Sequence, residues 1–69
     1  MTNQTGSLIK TLRQRMRMTQ EEFAHAIAVT VSTVNRWENL HAEPSRLAWR
    51  SIQELARRRG LPEEATASE

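Results

Sequence analysis

The stretch Thr19-Gln20-Glu21-Glu22-Phe23-Ala24-His25-Ala26-Ile27-Ala28-Val29-Thr30-Val31-Ser32-Thr33-Val34-Asn35-Arg36-Trp37-Glu38-Asn39 holds two helix starts with little room between them. Thr19 opens a capping box, Thr-Gln-Glu-Glu. In such a box the Thr hydroxyl accepts from the third helical amide, and the Glu reaches back to the Thr N–H. Met18 before the cap and Phe23 at the fourth helical position form the matching hydrophobic staple. Thr30 is a second cap, and Val29 with Val34 repeats the staple. The predicted helices cover 19–27 and 30–38, linked by Ile27-Ala28-Val29. Phe23, Ile27, Val34 and Trp37 need one shared core, and so short a link forces a steep crossing.

That crossing is the geometry of a helix-turn-helix. Mechanically, it projects the N-terminal residues of the second helix toward a DNA major groove while the first helix lies across the backbone. On the N-terminal side, Ser7 is a candidate cap for a further helix. Its apolar positions Leu8, Leu12 and Met16 recur every four residues with Ile9 alongside, and Arg17 closes it. On the C-terminal side, Asn39 and Leu40 leave the third helix and His41 to Pro44 form a loop. Ser45 caps a last helix that places Leu47, Ala48, Ser51, Ile52 and Leu55 on one face. Arg57, Arg58 and Arg59 crowd its negative dipole end and Gly60 stops it. No strand pattern competes. The expected fold is all-α: a compact four-helix domain over 7–60, an N-terminal arm over 1–6, and a disordered acidic tail over 61–69.

The chain has 69 residues with no cysteine, tyrosine or aspartate, which bounds its chemistry. A core of this size rarely supplies more than about 3–5 kcal/mol, and small domains usually add disulfides, a metal or a partner. Disulfides and thiolate zinc sites are impossible without cysteine. His25 and His41 have no second ligand at helical spacing, so no metal site is expected. A Ser-His-Asp nucleophile is excluded, and a Ser-His-Glu set would need a pocket this chain can hardly form. Neither enzyme activity nor a cofactor is expected. No apolar run approaches the length of a membrane span, and Met1 to Ser7 lacks the pattern of a secretory signal. The expected location is the cytoplasm, on the nucleoid when DNA is bound.

Net charge is only +2, but it is unevenly placed. Lys10, Arg13, Arg15 and Arg17 precede the central segment without any acid. Arg46, Arg50, Arg57, Arg58 and Arg59 follow it against Glu43 and Glu54. Two basic blocks around a near-neutral reading element suit a surface that grips phosphates. The same charges would also serve simply to solvate helix faces.

The register of Thr19-Gln20-Glu21-Glu22-Phe23-Ala24, Val29-Thr30-Val31-Ser32-Thr33-Val34, Arg36-Trp37-Glu38-Asn39 and Pro44-Ser45 resembles the Xre/Cro family of phage-repressor-like helix-turn-helix domains, over roughly residues 8–56. The resemblance implies a lambda-repressor-like, all-helical domain that binds double-stranded DNA, commonly as a homodimer, in transcription regulators. It further implies phosphate contacts for Gln20, Thr30, Thr33 and Asn39, and a base-reading face of Val31, Ser32 and Arg36 with Asn35 at its flank. Arg13 and Glu38 fall where the family has an ion pair between its first and third helices. The side-chain chemistry agrees with the base-reading set. Arginine grips guanine O6 and N7 bidentately, valine packs on a thymine methyl, and serine pairs with donors or acceptors. Trp37 points inward by its spacing, while Trp49 either covers the core edge or joins a dimer interface on the outer side of the last helix.

The chain departs from the family at Arg17, Ala28 and Leu40, where glycine is common because the backbone is left-handed. Either these residues bear strain or the turns differ locally, with Asn39 taking the left-handed role; on the first alternative, Leu40→Gly should raise the melting temperature. Three functions compete. The leading one is a sequence-specific repressor. The second is the DNA-binding antitoxin of a toxin–antitoxin pair, for which the short tail offers few apolar anchors. The third is a helix-turn-helix protein-interaction module without DNA binding, favoured by the low charge and by Glu21 and Glu22.

Overall fold

A computed structural model describes residues 5–62 and residue 65. Four helices follow in order: α1 (Thr5–Arg15), α2 (Gln20–Ala26), α3 (Val31–Glu38) and α4 (Arg46–Arg58). No strand occurs among the described residues. Side-chain caps start three of them. Thr19 forms a complete capping box with Glu22, the amide of Glu22 donating to the Thr19 hydroxyl at 3.0 Å and the Thr19 amide to Glu22 Oε1 at 2.9 Å. Thr30 accepts from the Thr33 amide, and Ser45 from the Ala48 amide. The last turn of every helix closes the same way. The residue after the cap is left-handed and donates three residues back, and its successor donates five residues back (Arg17 and Met18, Ala28 and Val29, Leu40 and His41, Gly60 and Leu61). This is the Schellman arrangement. Glycine fills the left-handed position only in α4; Arg17, Ala28 and Leu40 hold it at φ of 59°, 62° and 63°. Asn39 has φ −94° and so does not take that role.

The core gathers one face of each helix. Ile9, Leu12 and Met16 come from α1 and its end, Phe23, Ala24 and Ile27 from α2 and its cap, Val34 and Trp37 from α3, and Ile52 and Leu55 from α4. α3 packs against both α1 and α2. Phe23, Ile9, Leu12, Ile52 and Val34 are the largest side chains wholly withdrawn from solvent. Burial of this kind contributes roughly 1.5–3 kcal/mol per large aliphatic or phenyl group.

Two expectations need correction. Helix α1 begins at Thr5, so Ser7 is its third residue and not its cap. The reason lies at Gly6, which is buried: a Cβ there would collide with the Trp37 carbonyl oxygen and come within 2.6 Å of Leu40 Cδ2. Glycine lets the first turn of α1 press against the end of α3. Second, Leu47 is 73% exposed, and α4 instead buries Ile52, Leu55 and Ala56, with Ala48 and Trp49 packed at the core edge. Of the segment after α4, Leu61 and Ala65 are partly buried against the core and Pro62 is exposed. Residues 1–4 of the arm and residues 63–64 and 66–69 of the tail lie outside the described residues.

Candidate nucleic-acid interface

Helix α3 has two distinct sides. At 100° per residue, Val31, Ser32, Asn35 and Arg36 span one face, and Val34 and Trp37 lie nearly opposite. The burial follows this division: Val34 and Trp37 are 0% and 4% exposed, while Val31 is 40% exposed and Ser32, Asn35 and Arg36 are exposed. The apolar pair anchors the helix in the core and turns the polar face outward. An exposed valine in the first turn costs burial that a polar residue there would not forgo.

The remaining sequence-derived residues border that face, each with a definite partner. The Thr30 and Thr33 hydroxyls are 2.9 Å apart, and Thr30 also caps the helix. Asn39 donates its side-chain amide to the Asn35 carbonyl oxygen at 2.9 Å and to Asn35 Oδ1 at 3.1 Å. Both donors of that amide are therefore engaged within the chain, whereas the Asn35 amide retains its own. Arg36 makes no side-chain hydrogen bond or ion pair among the described residues. Its guanidinium is available to a ligand.

Behind this face a polar cluster ties three elements together. Arg13 Nε donates to Glu38 Oε2 at 2.8 Å and Nη2 to Oε1 at 3.1 Å, a bidentate pair. Nη1 of the same arginine donates to the Met18 carbonyl oxygen at 3.0 Å. Gln20 Nε2 donates to Glu38 Oε1, also at 3.1 Å. The hydrogen bond to Glu38 holds the Arg13 pKa above its ordinary value, against the opposing effect of burial. Gln20 thus keeps one amide hydrogen for an external acceptor while the other fixes its orientation. The Gln20–Glu38 and Asn39–Asn35 contacts escaped the sequence reading. The second had a signal in its four-residue spacing on one helix face, but the first spans two helices and had none.

Arg17 and Arg59 border a hollow with Glu21, Glu22 and His25. Arg50 and Arg58 instead line a groove beside Ala26, Ile27 and Ala28. Among the described residues no three His or acidic side chains come together as a metal site, and no helix is long and apolar enough to cross a membrane.

No curated protein and no solved structure matched this chain. A family profile described as helix-turn-helix did match, over residues 9–57, which takes in the core of α1, both helices of the steep crossing and nearly all of α4. The chain thus belongs to the Xre/lambda-repressor-like helix-turn-helix family of DNA-binding regulators.

Proposed function

We propose that this chain is a sequence-specific regulator of transcription that binds duplex DNA as a homodimer and represses by occluding a promoter. The observation that carries the reading is the two-sided α3, in which an uncommitted Arg36 stands beside exposed Val31, Ser32 and Asn35 over a buried Val34 and Trp37. In this reading α3 enters the major groove and those four side chains read bases. Gln20, Thr30, Thr33 and Asn39 bind phosphates at its margins, Asn39 by exchanging its intrachain partners for a phosphate oxygen. One such helix reads only a few base pairs, which is why two copies on half-sites about 34 Å apart are invoked. Occlusion needs no effector domain, and cytoplasmic, nucleoid-associated residence follows from the role.

The test is selection from a random duplex DNA pool at two salt concentrations. A two-fold-symmetric motif whose binding weakens with salt is the expected result, since phosphate contacts release counterions. Recovery of no motif, or binding indifferent to salt, would refute the reading in favour of a protein-interaction role. The antitoxin alternative shares every DNA-binding residue, and no feature of the described tail favours it.

A further inference from the structure

Asn39, at the C-cap of α3, holds Asn35 of the preceding turn through its side-chain amide. Nδ2 donates to the Asn35 carbonyl oxygen at 2.9 Å and to Asn35 Oδ1 at 3.1 Å. The second bond turns the Asn35 acceptor along the helix toward Asn39, and leaves the Asn35 amide hydrogens as the groups free to face a ligand. Both residues are exposed, and neither side chain has another hydrogen-bond partner among the described residues. The bonds are also easily given up. The Asn35 carbonyl oxygen accepts from the Asn39 backbone amide at 3.0 Å as well, so it stays satisfied when the side chain leaves. Asn39 has φ −94°, so no strained turn depends on its side chain.

That arrangement decides what Asn35 can read. Adenine is recognised by an asparagine that accepts from N6 with its oxygen and donates to N7 with its nitrogen. With its oxygen drawn to Asn39, Asn35 presents only donors. Every base pair shows the major groove at least one acceptor, N7 of a purine or O4 of thymine, so a donor alone discriminates poorly. When Asn39 exchanges Asn35 for a phosphate oxygen, the Asn35 oxygen is released and the pair that adenine requires is complete. Both events depend on the same Asn39 amide, so a phosphate at Asn39 and an adenine at Asn35 favour each other.

We infer that Asn39 is the positioning residue for Asn35: its amide latches the Asn35 oxygen in the free chain, and a DNA phosphate opens the latch so that Asn35 reads adenine. Phosphate binding by Asn39 and base reading by Asn35 belong to the proposed function, and the latch rests on that reading. Where the backbone does not meet Asn39, the latched side chain is nearly neutral toward sequence. In register with the operator it discriminates.

The test is binding of the full chain to single-base-pair variants of its selected operator, with and without one methylphosphonate linkage, which makes a phosphate neutral. Circular dichroism verifies that each variant folds. Asn35→Ala identifies the base pair it reads as the one whose preference relaxes, expected to be adenine–thymine with a loss of about tenfold. The phosphate at Asn39 is the one whose neutralisation weakens the wild-type chain more than it weakens Asn39→Ala. Neutralising it should abolish the adenine preference of the wild-type chain, because Asn39 returns to Asn35. Asn39→Ala should bind every sequence more weakly yet keep the adenine preference on both backbones, since no latch remains. A wild-type adenine preference indifferent to every neutral linkage would overturn the inference. So would an Asn39→Ala chain that has lost the preference, or an Asn35→Ala chain that keeps it. In each of those cases a base preference that depends on Arg36 leaves the proposed function standing, whereas selection of no motif at all refutes that function and the latch together.

Discussion

Arg13 of α1 and Glu38 at the end of α3 form a bidentate pair, with Nε 2.8 Å from Oε2, although 25 residues separate them. The side chains are 13% and 5% exposed. The pair locks α3 to α1, and through Gln20 it also locks the start of α2. Removing one member of a buried pair costs about 3–5 kcal/mol because the other is left unpaired. This pair lies at the edge of the domain, where water reaches a stranded group, so Glu38→Ala should cost about 2–3 kcal/mol. Glu38→Gln keeps an acceptor for Arg13 and should cost roughly half that. Urea unfolding followed by circular dichroism measures both, and equal losses for the two variants would contradict this ordering. The sign of the Arg13 shift limits its pH effect. Its pKa is raised above the ordinary arginine value, so its contribution is complete across the usual pH range and fades only in strong alkali.

Gly6 offers a test with an inverted sign. Alanine at an exposed helix position is normally about 1 kcal/mol better than glycine. At Gly6 the added methyl would meet the Trp37 carbonyl oxygen, which belongs to backbone and cannot rotate away. Gly6→Ala should therefore destabilise, by about 1–3 kcal/mol as overpacking does, and lower the melting temperature. A higher melting temperature would show that α1 does not press against the end of α3.

The same residue explains much of what the sequence concealed. Local chemistry declared the starts of α2, α3 and α4, because Thr19, Thr30 and Ser45 bond to amides within their own first turns. The first turn of α1 abuts the Trp37 carbonyl far along the chain, while Ser7 reads locally as a cap. Leu47 misled in the other direction, since periodicity on α4 marks an apolar residue without saying whether the core reaches it. The exposed face of α3 was legible from spacing alone. The Arg13–Glu38 pairing was available only through the family resemblance, and the role of Gln20 within it through nothing in the sequence, since helix-to-helix polar contacts leave no periodic trace.

The three left-handed positions should respond unequally to glycine. Each L-residue there carries roughly 1–2 kcal/mol of strain. Ala28 is exposed and buries little, so Ala28→Gly should recover about 1 kcal/mol, or roughly 4–8 °C in a domain of this size, when measured at concentrations that keep the chain monomeric. Leu40 is 50% exposed and reaches toward Gly6 through Cδ2, so its replacement forfeits packing as strain is relieved. The expectation that Leu40→Gly simply stabilises is thus reduced to a change near zero. Differential scanning calorimetry of both variants decides the matter, and a larger gain at Leu40 than at Ala28 would reverse the assignment of strain and packing.

Arg36 and Gln20 should fail in different ways on DNA. In the proposed reading Arg36 holds a base edge, so Arg36→Ala should cost about 1–3 kcal/mol and relax preference at one base pair. Gln20 holds a phosphate with the amide hydrogen that Glu38 does not use, so Gln20→Ala should weaken every sequence alike and reduce the salt slope little, because the side chain is neutral. The link through Glu38 adds a third arm. Glu38→Gln leaves Gln20 in place but removes the charge that fixes its orientation, so it should weaken DNA uniformly, as Gln20→Ala does, and less severely. Affinities for a set of single-base-pair variants of the selected operator, read at two salt concentrations, separate these patterns. Uniform loss from Arg36→Ala would remove it from the groove, and altered base preference from Gln20→Ala would place its amide on a base edge instead of a phosphate.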